Sequence, residues 1–148
     1  MTTSNHSNFS RNAINAAVQR GEQLRQDRIE QAARAREEAI RIMVEAAPQR
    51  AADILNGLPQ TITQLVAEAD DTPQSVVVMW VEPHEYEGAT ERYLGAGFHG
   101  PSLGLPENLK LAARQVYDAL ADSNPLLAYR PNQAMSGKGQ LAIVIRLD

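Results

Sequence analysis

Ser75-Val76-Val77-Val78-Met79-Trp80-Val81 is an unbroken apolar run of β-branched and large residues, fenced by Pro73 before and Pro83 after. A run with no polar face, read as a strand, needs cover on both sides. Upstream of it everything reads as helix. Downstream the chain reads as a loop, one more helix and a hairpin. These pieces predict an α+β fold: a long N-terminal helix and two shorter helices on a small sheet of about three strands. One further helix stands between strands 1 and 2.

Working outward toward the N-terminus, Pro48 suits the first turn of a new helix better than the interior of an old one. Asn56-Gly57 with Pro59 signals a second break. Between them Ala51, Ile54, Leu55 and Leu58 make an apolar stripe, and Ile62, Leu65, Val66 and Ala69 resume it until Asp70-Asp71-Thr72-Pro73 forces a turn. These two pieces predict the helical layer over the central strand, with a bend near Ala46–Pro48.

From Arg11 to Ala47 there is no proline and one glycine, Gly21, and Ala, Arg, Glu, Gln and Ile dominate. Ser10 can cap this helix. Its apolar positions are thin: Ile14, Ala17, Gly21 and Leu24, then Ile29, Ala33, Ile40, Met43 and Ala47, slightly out of phase. Glu30 with Arg34 and Glu37 with Arg41 are i,i+4 pairs worth ~0.2–0.5 kcal/mol each. So narrow a stripe buries little within a small domain, and alone it is marginally stable. It therefore predicts packing against copies of itself as a coiled coil or bundle, ahead of a hetero-partner or a merely solvated helix. The expected division is a disordered tail at 1–9, an oligomerisation helix at 10–47 and a compact α/β domain at 48–148.

Downstream of the strand, Glu82-Pro83-His84-Glu85-Tyr86-Glu87-Gly88 opens a stretch without clear period that lasts to Gly104. A loop that long in a compact domain is usually functional or disordered. Its two histidines, aromatics and glycines mark about 84–104 as a recognition loop. Pro106 and Glu107 start a helix whose face is Leu109, Ala112, Ala113, Val116 and Leu120. Leu126–Arg130 and Gln140–Leu147 read as a terminal hairpin. The strand–helix–strand step before it favours a parallel neighbour. The open edges of such a sheet are a second reason to expect association.

Composition narrows the function classes. Residues 1–60 hold eight arginines against seven acids, and residues 61–148 hold six bases against eleven acids. Neither part has the basic balance of a nucleic-acid binder. With no cysteine, thiolate metal sites and a Cys nucleophile are excluded. No apolar segment approaches the ~18–20 residues that span a bilayer, and the polar N-terminus is no signal peptide. A soluble cytoplasmic protein without membrane contact is expected.

Motifs are weak. Gly95-Ala96-Gly97-Phe98-His99-Gly100 matches G-x-G-x-x-G, but lacks the strand before it and the helix opening on it that dinucleotide binding needs. Its glycines suit tight turns, or an anion nest. Ser136-Gly137-Lys138-Gly139 is a small basic hairpin end, not a P-loop. His84 with Glu82, Glu85 and His99 lacks any metal-binding spacing, so no metal and no cofactor is expected. No nucleophile elbow occurs, and the enzyme reading is the weakest. The leading expectation is a non-enzymatic homo-oligomeric interaction or assembly protein of a viral or bacterial setting, with itself as partner. The alternative is a protein that binds or sequesters a nucleotide-like anionic small molecule between the Gly-rich loop and the 130–139 hairpin. Its candidate ligand residues are Tyr93, Gly97, Phe98, His99, Arg130 and Lys138.

Overall fold

A computed structural model describes residues 10–95, 103–135 and 137–148. The expected tail, 1–9, lies outside them. The elements are α1 (Arg11–Glu68), β1 (Ser75–Trp80), β2 (Glu91–Tyr93), α2 (Leu111–Ala119), β3 (Leu126–Pro131) and β4 (Lys138–Arg146). The fold is α+β, with an antiparallel sheet of four strands. The chain divides into two compact units, 1–42 and 43–148.

In the first unit α1 begins at Ser10, whose Oγ accepts the Ala13 N–H at 3.3 Å. The hydroxyl satisfies one of the N–H groups that the first turn leaves without a helical partner. No residue from Arg11 to Ile42 is buried. Polar side chains close on one another along the surface, Gln23 Nε2 on Asp27 at 2.9 Å and Arg41 on Glu38. Ile14, Val18, Leu24, Ile29, Ile40 and Ile42 stand exposed among them.

The second unit corrects the expected helix breaks. The helix runs straight through Pro48 and Pro59 to Glu68 as one element. Each interior proline removes one i→i−4 hydrogen bond and costs roughly 3 kcal/mol. Two things offset that. Ala47, Ala51 and Leu58 are buried, with Ile54, Leu55 and Ile62 packed against the same core, so one helix face spans both prolines. The prolines themselves are exposed. Their eleven-residue spacing is about three turns, which puts both on one side of the helix.

β4 is the central strand. β3 pairs with it from Leu126↔Val144 to Pro131↔Gly139. On its other side β1 pairs over Ser75↔Arg146 to Trp80↔Ala142, and β2 over Glu91↔Gln140 to Tyr93↔Lys138. β1 and β2 thus share one edge end to end, so the sheet is three strands wide although four strands build it. The 126–147 hairpin is as expected. The parallel neighbour is not: every paired strand is antiparallel. β1 and β3 do run the same way, joined through α2, but β4 lies between them. Inserting it gives both strands antiparallel ladders along most of their length, a split β–α–β arrangement.

Leu141, Ile143 and Ile145 alternate into a core shared with Val76, Met79, Leu127, Ala112, Ala113 and Val116. The bulge between Val77 and Met79 keeps Val76 and Met79 both on this face. Both helices belong to this core, so the helical layer expected over β1 lies on one face and the cover expected on its other side is not helical. On the opposite face Ala128, Ala142 and Val144 are buried although they lie outside that cluster. Ala142 stands in register between Trp80 of β1 and Ala128 of β3, Val144 between Val77 and Leu126, and Ala128 is bridged on its other side by Leu103. No helix among the described residues is long and apolar enough to cross a membrane.

A candidate recognition site on a pinned excursion

The stretch after β1 is not a single long loop. It is an excursion from the sheet edge with a closed neck. Val81 donates its N–H to Leu141 O at 2.8 Å, and Leu141 donates its own N–H to Thr90 O at 2.7 Å. Between those points residues 82–89 leave the edge, turn through a 3-10 segment at Pro83–Glu85, and come back as β2. Gly88, at φ +138°, makes the return in a conformation that side-chain-bearing residues rarely adopt.

Glu85 fixes the excursion from within. It is completely buried. Its Oε1 accepts Arg50 Nη2 at 3.0 Å and the Glu82 N–H at 3.0 Å, and its Oε2 accepts Arg50 Nε at 3.2 Å. Arg50 comes from α1, and its Nη2 also donates to Trp80 O at 3.3 Å. Two parallel bonds from a planar guanidinium are the strong form of an ion pair, and they supply the donors that a buried carboxylate demands. The Glu85 carboxylate holds the Arg50 guanidinium above its ordinary pKa, outweighing the lowering effect of burial.

The outer side of the excursion is held as well. Lys110 N donates to Glu85 O at 2.8 Å, Glu87 N to Asn108 O at 2.9 Å, and Tyr86 bridges to Leu109. Tyr86 Oη accepts the Leu105 N–H at 3.1 Å. Tyr129 Oη donates to Ala89 O at 2.6 Å. Partial burial, and then the nearby Tyr86, push the Tyr129 phenol above its ordinary pKa. The segment is therefore a surface feature held on both sides by hydrogen bonds.

Of the expected ligand residues, Tyr93 and Lys138 are paired in register across β2 and β4. Tyr93 is 71% exposed, and its ring lies against Gly95 and Gly137, where a Cβ would collide with it or crowd it. Lys138 is paired with Glu91 at 3.9 Å. It lines a cavity of about 260 Å³ with Leu94, Pro131, Asn132, Met135 and Gly137. Arg130 sits across β4 opposite Gln140 and does not line that cavity. Gly97, Phe98 and His99 lie outside the described residues, as does most of the Gly95–Gly100 motif.

Sequence reasoning missed the Arg50–Glu85 pair. Its only sequence signal is a lone arginine on the otherwise apolar face of Ala47, Ala51 and Ile54. Glu82, His84 and Glu85 do not gather, because Glu85 faces inward. Among the described residues no group of three His, Asp or Glu side chains is placed to hold a metal ion. Comparison with family models, with curated proteins and with solved structures gives no match.

Proposed function

We propose that this chain is a non-enzymatic, self-associating interaction protein. Its N-terminal helical arm pairs with copies of itself, and the pinned excursion with β2 presents a recognition surface. The observation that supports the arm's role is its complete exposure: Arg11–Ile42 buries nothing, yet carries Ile14, Val18, Leu24, Ile29, Ile40 and Ile42. A solitary helix of this kind gains little beyond its own hydrogen bonds. Each Ile, Leu or Val buried against another copy contributes about 1.5–3 kcal/mol, and several together outweigh an association cost of roughly 4–15 kcal/mol.

Ile29→Glu with Ile40→Glu in the full chain tests this, because both residues are exposed and neither belongs to the 43–148 unit. The expected result is a multimer for the parent and a monomer for the variant by native mass spectrometry, with the urea midpoint of the Trp80 signal nearly unchanged. A parent that stays monomeric at every concentration refutes the proposal.

The alternative, a nucleotide-like anion held between the Gly-rich loop and the 130–139 hairpin, has less behind it. Lys138 is already paired with Glu91, and a cavity of about 260 Å³ falls below the ~300–1,000 Å³ usual for ligands of that size.

A further inference from the structure

On the sheet face opposite the core, beyond the buried Val144, lies a cavity of about 190 Å³. Its walls come from three strands: Ser75 of β1, Leu126 and Arg130 of β3, and Val144 and Arg146 of β4, with Asp148 at the rim. Register explains the gathering. Ser75 pairs with Arg146, and Leu126 with Val144, so the strands bring these four side by side at one end of β4, while Arg130, paired with Gln140, reaches the cavity from four residues further along β3. Among the described residues no hydrogen bond or ion pair engages the side chains of Arg130, Arg146 or Asp148. Arg130 Nε is moreover shut off from solvent with no acceptor. A buried N–H without an acceptor costs about 1–3 kcal/mol, more when the group is charged, so such groups normally have a partner.

We propose that this cavity binds the carboxylate of a small organic acid with a short apolar tail. Two features select that class. The planar Nε/Nη edge of an arginine matches a carboxylate bidentately. Val144 and Leu126 make an apolar floor for the tail. Size argues against a whole nucleotide, because about 190 Å³ falls below the ~300–1,000 Å³ usual for ligands of that size. The site is independent of the helical arm and of the Lys138 cavity.

The test is an amide-resolved NMR titration of the full chain with sodium butyrate, against sodium chloride at matched ionic strength. Saturable shifts are expected at Ser75, Leu126, Val144 and Arg146, together with the Arg130 Nε–H. Arg130→Gln and the more exposed Arg146→Gln each weaken binding about tenfold or more, the loss of one charge-assisted hydrogen bond. Lys138→Gln leaves it unchanged. Absence of saturable shifts at these residues overturns the proposal, as does butyrate binding that survives both arginine substitutions. Tighter binding of inorganic phosphate than of butyrate overturns the assignment to carboxylates. Arg146 lies at the surface and its variant retains the fold, so a negative result there is not a folding failure.

Discussion

Glu85→Ala lowers the stability of the 43–148 unit by about 3 kcal/mol. Breaking a buried ion pair by removing one partner costs about 3–5 kcal/mol, because the other charge is left uncompensated. Here Arg50 is 39% exposed in its side chain and recovers some hydration, which places the value at the lower end. The loss is more than electrostatic. The Glu82 N–H loses its acceptor as well, and with it the anchor of the excursion from inside. Urea unfolding followed by Trp80 fluorescence, at one fixed protein concentration, measures the change. Arg50→Met combined with Glu85→Leu recovers most of it, since an apolar pair of similar volume removes both charges together. A cost under about 1 kcal/mol for Glu85→Ala would mean that the pair merely accompanies the excursion.

Leu141→Ala carries a cost of similar size, about 3–4 kcal/mol, within the range for buried leucines truncated to alanine. Leu141 is fully buried, and its backbone closes the neck of the excursion through Val81 and Thr90. Its Cδ1 also decides what fits at Gly104. A Cβ there would stand 2.8 Å from Leu141 Cδ1 and 3.1 Å from Leu127 Cδ2. Gly104 lies beside the β3 edge, donating its N–H to Leu127 O at 2.8 Å, so it has little room to withdraw. Gly104→Ala alone is therefore expected to cost about 1–2 kcal/mol by overpacking. In the Leu141→Ala background that cost falls, because the methyl gains the space Leu141 vacated and only Leu127, at 3.1 Å, still crowds it. The pair is thus non-additive, and a double-mutant cycle on denaturation midpoints reads the coupling directly. Strict additivity would show that the two residues are not in contact in solution.

What could be read from the sequence follows from where its signals are local. The apolar run at 75–81, the alternation at 141–147 and the 3.6-residue period at 109–120 each specify an element by themselves, and each element is present. Pro48 and Pro59 misled because a proline reports only its own turn. The compensating burial of Ala47, Ala51 and Leu58 comes from a core shared with strands that begin only at Ser75. The parallel pairing was expected from the order of strand, helix and strand. That order says nothing of a later strand entering between the first two. The stretch 84–104 showed glycines and no period, and from these its pinning could not be deduced: Arg50 lies 35 residues before its carboxylate partner. For the candidate ligand residues, Arg130 and Lys138 were recognisable as basic groups near the hairpin. Which cavity each lines depends on strand register, a property that no single residue carries.

β4 pairs with every other strand, and it is the last of them in the chain. During synthesis, β1, β2 and β3 therefore leave the ribosome with no ladder to join, while the arm can already become helical. The apolar Ser75–Trp80 segment waits for about sixty further residues before Ile143 and its neighbours arrive to pair with it. Contacts so distant in sequence make folding slow relative to helix formation. In that interval the arm is available and the strand is exposed, a combination that places the chain's greatest exposure to misassembly before folding is complete.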